Sequence, residues 1–118
     1  MTKEQLTRAL AAHSQGKVRL KQSIETRTSE FDPVSVGRDD KCDLGAWLHD
    51  PTADRQSSHF ERTLEAHRRF HRAAADVLRL ALDGRTDEAR AAMGIAGEFS
   101  KASAAVSGEL VAWQRELG

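Results

Sequence analysis

The sequence predicts an all-α protein, an antiparallel four-helix bundle with three long helices and one short helix that carries a Cys motif. Three observations predict it. No run alternates apolar and polar residues, and β-branched residues are sparse. Apolar residues recur instead in steps of three and four along three long segments. The two prolines, Pro33 and Pro51, confine the breakers to one stretch richer in Gly, Asp and Val.

The first helix should start at Thr2, which forms a capping-box pattern with Gln5. Its stripe is Leu6, Leu10, His13, Lys17, Leu20 and Ile24, and it should fade near residues 28–30. Lys17 on that stripe is expected to snorkel to water. A loop is expected from Phe31 through Gly37. A short helix should run from Leu44 to Leu48 and end before Pro51. The third helix should begin at Thr52 or at Ser58, whose partner Glu61 makes a second capping box. Its stripe is Phe60, Leu64, His67, His71, Ala74, Leu78 and Leu82. Asp83-Gly84-Arg85 reads as a stop, with Gly84 in the left-handed position. Thr86-Asp87-Glu88 opens the fourth helix, with acids in its first turn. Its seam is Ala89, Ala92, Ala96, Phe99, Ser103, Val106, Leu110, Trp113 and Leu117. Gly94, Gly97 and Gly108 lie in this helix. They permit either a close helix approach or a bend.

The 118 residues are one domain's worth of chain, so 1–118 is expected to form a single helical domain. Its apolar fraction of 39% includes many alanines, and only 5% is aromatic, so the core must be lean. Eighteen basic residues balance eighteen acidic ones. That argues against a nucleic-acid binder and against a polybasic membrane-surface module. No apolar run is long enough to span a membrane, and residues 1–5 lack the apolar centre of a secretory signal. Cys42 is the single cysteine, so no internal disulfide can form, and the chain is expected to be cytoplasmic. The helix start so close to Met1 favours a free-standing protein.

Three groups break the apolar stripes. His67 and His71 are four apart, so both rings project from one helix face and can share one ion. They lie on the core face, where unpartnered imidazoles are costly. The alternative is two partly buried histidines bonded to backbone or carboxylates. His13 sits amid the first stripe, between Leu10 and Leu20. In an antiparallel bundle it can face the third helix, or serve as a structural core histidine. Cys42 precedes Asp43-Leu44-Gly45-Ala46-Trp47-Leu48. It is either a small buried hydrophobe or a soft thiolate at a helix start. Three His and one Cys make four ligands of the number and softness that Zn2+ prefers.

These residues resemble a known family. His13 followed by Gly16, then Cys42-Asp43-Leu44-Gly45-Ala46-Trp47, then His67-Arg68-Arg69-Phe70-His71, is similar to the chemoreceptor zinc-binding (CZB) domain. The intervening stretches 17–41 and 48–66 fit the family spacing, and the resemblance spans nearly the whole chain. Gly16 departs from it, standing where the family has an aromatic residue or Leu. The resemblance implies a cytoplasmic bacterial four-helix bundle with zinc held by three His and one Cys. Carried over, the ligands are His13, Cys42, His67 and His71. Leu44, Gly45 and Trp47 match the supporting motif, Gly45 for close backbone approach and Trp47 as an anchor. Such domains usually adjoin chemoreceptors or diguanylate cyclases and are linked to sensing zinc or hypochlorous acid through the zinc-bound cysteine. The expected partner is therefore an output protein or domain not present in this chain.

A site closed by four protein ligands has no open position for substrate, so an enzyme is not expected. Oxidation of Cys42 would remove the only anionic ligand. The alternatives are a structural or metal-storage zinc bundle without output, and further off a zinc-dependent hydrolase with Cys42 as nucleophile. No pair of acids is placed as in carboxylate-rich di-metal bundles. Ser100, Ser103 and Ser107 read as packing residues. Asp43 reads as a helix-starting acid or a support for a ligand imidazole. His49 and His59 lie off the stripes and are expected to be solvated. The seam ending at Leu110, Trp113 and Leu117 predicts a homodimer if the short second helix leaves it uncovered.

Overall fold

The computed structural model describes residues 2–29, 33–38, 43–50 and 57–117. Six helical segments follow in order: α1 Lys3–Thr26, α2 Pro33–Val36, α3 Asp43–Leu48, α4 Ser58–Leu82, α5 Thr86–Ala92 and α6 Glu98–Leu117. No strand occurs among the described residues. The all-helical class expected from the apolar periodicity is the class observed.

α1 starts as its capping pattern requires. The Thr2 hydroxyl accepts from the Gln5 amide at 3.1 Å, and the Gln5 side chain accepts from the Thr2 amide at 2.9 Å. The helix ends at Thr26, a little before the expected fade. Arg27 follows in the left-handed region with φ 57° and donates to the Ser23 carbonyl at 2.8 Å. α4 starts at Ser58, one of the two expected starts, but its cap lies one residue earlier. Ser57 is the cap, its hydroxyl accepting from the His59 amide, so the expected Ser58–Glu61 box is not the cap. Thr52 lies outside the described residues. At the other end Gly84 has φ +76°. The amides of Gly84 and Arg85 reach the carbonyls of Ala81 and Leu80 at 3.1 and 2.9 Å. This is the Schellman stop, and Gly84 has the left-handed conformation expected of it.

Two expectations are corrected. Within the expected loop, Pro33–Val36 forms one helical turn, closed by the Gly37 amide on the Pro33 carbonyl at 3.0 Å. Proline suits a first helical position because its missing N–H has no helical partner there anyway. The expected fourth helix is two helices, α5 and α6, broken between Met93 and Gly97. The break has a local cause. A Cβ on Gly97 would run into the Ala92 carbonyl and sit 2.6 Å from the Ala91 carbonyl oxygen. Gly97 therefore marks a sharp bend. Gly108 has open space around it inside α6.

α4 packs chiefly on α6 and α1, with α2 and α3 docked against it. Leu6, Leu48, Phe60, Val77, Leu78, Phe99, Val106, Leu110 and Trp113 join one buried cluster. The buried face of α4 is rotated from the expected stripe. Thr63, Phe70, Val77 and Ala81 are buried, whereas Leu82 is exposed. Leu110 and Trp113 are covered by the chain itself, and only Leu117 of that seam is exposed. The part of the seam left uncovered among the described residues is thus its end at Leu117. No helix among the described residues is long and apolar enough to cross a membrane.

The two glycines should respond in opposite directions. Gly97→Ala forces a methyl against backbone and should cost about 1–3 kcal/mol. Gly108→Ala meets no atom and lowers the entropy lost on folding, so it should add about 0.5–1 kcal/mol. Urea denaturation followed by circular dichroism checks both signs.

Candidate metal centre

The helical spacing of His67 and His71 turns both rings toward the interior of the fold. His67 is 2% exposed and His71 is half-buried. Their Nε2 atoms lie 2.9 Å apart, and the rings meet edge to face at 4.4 Å between centroids. His71 Nδ1 lies 2.7 Å from the Val36 carbonyl oxygen on α2. A carbonyl only accepts, so Nδ1 of His71 carries the hydrogen and donates it. In the neutral ring, the lone pair of His71 Nε2 then faces His67, and His67 Nε2–H donates across the 2.9 Å contact. A backbone carbonyl holding the far nitrogen is the arrangement that orients a metal-ligating imidazole.

His13 is 9% exposed at the middle of α1. Its Nε2 lies 2.8 Å from Ser103 Oγ on α6. Its ring is tilted over Phe70, with centroids 4.1 Å apart. Phe70 in turn meets the rings of His71 at 5.4 Å and Phe99 at 5.3 Å. Burial first, then the electrostatic influence of Lys17 and of nearby His71, lowers the His13 pKa from 6.5 to about 4. The ring is thus neutral near pH 7, the form that a metal requires.

All three histidines line one cavity of about 300 Å3 between α1, α2, α3 and α4. Leu44 lines it too, from the first turn of α3. Cys42, two residues earlier, lies outside the described residues. Leu44 is 6% exposed, Gly45 is buried, and Trp47 packs partly buried against the core. The segment following Cys42 is therefore anchored beside the histidines. Among the described residues, no group of three or more His, Cys, Asp or Glu converges closely enough to hold a metal ion. The structure brings His67 and His71 together, while the Nε2 of His13 turns to Ser103.

The donor chemistry fits zinc. Two nitrogens each ~2.0–2.1 Å from a tetrahedral ion sit roughly 3.3 Å apart. The His67–His71 pair would open by only a few tenths of an ångström. Neutral imidazoles and a thiolate have the softness that zinc prefers.

Three partners escaped the sequence. Ser103 was expected to be a packing residue, yet it binds His13. A polar residue on an otherwise apolar seam was the available signal. Phe70 fell between the two histidines and off the assigned stripe. The Val36 carbonyl is backbone and leaves no signature. His49 is exposed as expected. His59 is corrected: its side chain is only 16% exposed, with Nδ1 3.4 Å from Glu109 and Nε2 4.0 Å from Glu116 on α6.

Residues 13–78, more than half of the chain, match the family model described as the chemoreceptor zinc-binding domain, CZB. The matched stretch runs from His13 past Cys42, His67 and His71. No curated protein and no solved structure gives a match to the chain.

The depressed His13 pKa carries a pH signature. Unfolding restores the ordinary value, so between pH 6.5 and about 4 the unfolded chain binds a proton that the folded chain refuses. The stability from keeping His13 neutral is complete above pH 6.5 and is lost as pH falls toward 4. The loss amounts to a few kcal/mol, at about 1.36 kcal/mol per unit. Urea midpoints of metal-free protein across this range should fall steeply. His13→Gln, which can still meet Ser103 and does not titrate, should flatten the slope.

Proposed function

The chain belongs to the chemoreceptor zinc-binding domain family, its cofactor is Zn2+, and from that premise we propose that His13, Cys42, His67 and His71 hold one zinc ion as a regulatory site. The family is a zinc-binding signalling module and not a catalytic one. The observation that carries the proposal is the 2.9 Å convergence of His67 and His71 Nε2 inside a cavity that His13 also lines. In this reading the long helices and α3 act as an antiparallel four-helix arrangement. His13 turns from Ser103 toward the cavity, and the chain just before Leu44 supplies the thiolate.

Bound zinc supplies Lewis acidity that keeps the Cys42 sulfur deprotonated at neutral pH. The residues then define the switch. A thiolate is the oxidisable form of cysteine. Hypochlorous acid transfers its oxygen to the Cys42 sulfur, which gives up two electrons, the proton stays with that oxygen, and chloride leaves. The sulfenic acid is a weaker ligand than the thiolate. With no second cysteine in the chain, no internal disulfide traps that product. Reversal requires an outside thiol or a cysteine of another chain. Loss of the thiolate loosens the α3 segment, while the caps and apolar faces of α1, α4 and α6 do not depend on it. The receiver of that motion is a chemoreceptor or diguanylate cyclase output partner in the same cytoplasmic compartment. A purely structural or storage zinc bundle is the second reading. The closed donor set is common to both readings, and the sensitivity of metal retention to oxidant separates them.

Elemental analysis should find one zinc per chain. Cys42→Ala, His67→Ala and His71→Ala should each lower zinc affinity at least tenfold, whereas exposed His49→Ala should not. Zinc retained by all three variants would overturn the site. A chelator-dye assay against hypochlorous acid tests the switch. Dose-dependent release from wild type is expected, with little from Cys42→Asp, which keeps an anionic ligand without sulfur. Equal release from both would leave the zinc site standing and remove the redox switch.

A further inference from the structure

The cavity beside the histidines is far larger than an ion requires. A water molecule occupies about 30 Å3 in the liquid, and a dry cavity of about 150 Å3 already holds benzene. This one is about 300 Å3. We propose that it is a binding site for a small uncharged aromatic molecule of one or two rings, admitted beside Gly16.

The walls specify the chemistry. On α1 they are Ala9, Gly16 and Leu20; on α4 they are Phe70, Ala74 and Leu78. Ala9, Gly16 and Ala74 put little side-chain volume into the space between the helices, and Phe70 offers a ring for stacking. Most polar groups of the wall have protein partners, and in the reading proposed above its histidines turn to zinc. The Ser23 hydroxyl donates to the Arg19 carbonyl at 3.0 Å. His13 meets Ser103, and His71 meets both His67 and Val36. The two lining arginines, Arg19 and Arg38, are exposed at the rim. A charged ligand would lose hydration on entering and find few free partners inside. An apolar ring loses nothing and buries its surface.

Gly16 is the second, independent observation. It lies in the middle of α1, where glycine costs about 1 kcal/mol relative to alanine. No positive φ calls for it, since Arg27 and Gly84 are the residues with positive φ among those described. Nor does any neighbour crowd it, because a Cβ built there meets no heavy atom within 4 Å. What Gly16 contributes is space in the cavity wall.

The inference goes beyond zinc binding, because the apolar walls it uses, Ala9, Gly16, Leu20, Phe70, Ala74 and Leu78, are not the proposed metal ligands that share the cavity. The test is titration of the zinc-loaded protein with indole, followed by methyl nuclear magnetic resonance. Leu20, Leu44 and Leu78 methyls should shift and saturate together. Gly16→Leu should weaken indole at least tenfold with zinc content unchanged. Ala12→Leu, at an exposed lining position of the same helix, provides a second filler should Gly16→Leu fail to fold, and should weaken indole in the same direction. Unmoved leucine methyls, undiminished binding in the folded filler variant, or tighter binding of benzoate than of indole would each overturn the proposal. Zinc content measured on the same samples separates the two ideas. Zinc-free protein that still binds indole refutes the metal site alone, and zinc-loaded protein that ignores indole refutes the cavity ligand alone.

Discussion

Two imidazoles one turn apart on the inward side of α4 constrain everything packed around them. An imidazole removed from water must find partners for its nitrogens, or the fold loses more than the ring's apolar surface gains. His71 finds one in the Val36 carbonyl, and so fixes where α2 must dock. His67 and His71 answer each other at 2.9 Å. His13 comes from the opposite helix, stacks on Phe70 and reaches Ser103 on α6. Four helical segments are thus joined by contacts that begin or end at a histidine.

This polar knot lies inside a core built largely from alanine, leucine and a few aromatics. Ala9, Ala74, Ala81, Ala89 and Ala102 are buried, and small residues let the helices approach closely. They also bury little surface each, which leaves the larger residues with much of the packing. Phe60, Trp113, Leu6 and Leu110 are all enclosed where the start of α4 and the start of α1 meet the end of α6. The histidine region is less filled, and the cavity lies there.

The helices were legible in the sequence because their signals are local. A capping box at Thr2, a glycine stop at Gly84 and three-and-four spacing of apolar residues each act within a few residues. His67 and His71 were legible for the same reason, since four residues on a helix fix their neighbourhood. His13 joined them only through its place on an apolar stripe and the family resemblance. Contacts that depend on how helices rotate against one another were not legible. The apolar arc of α4 is wide enough to be centred on Leu64 or on Phe70, and tertiary packing chose Phe70. Ser103 met His13 for the same reason. The turn at Pro33–Val36 and the break at Gly97 depend on backbone proximity, which side-chain periodicity does not encode.

The break before α6 also frees that helix from the phase of α5. In one uninterrupted helix each residue advances the next by a fixed angle, so Ala89 would dictate which way Ser103 points. With the chain folded sharply at Gly97, α6 takes its rotation from its own contacts, Phe99, Val106 and Trp113 in the core. The orientation of the Ser103 hydroxyl toward His13 is therefore a property of α6 alone. Changes that reshape α5 can leave this alignment untouched, while a one-residue slip within α6 would rotate the hydroxyl away from its histidine.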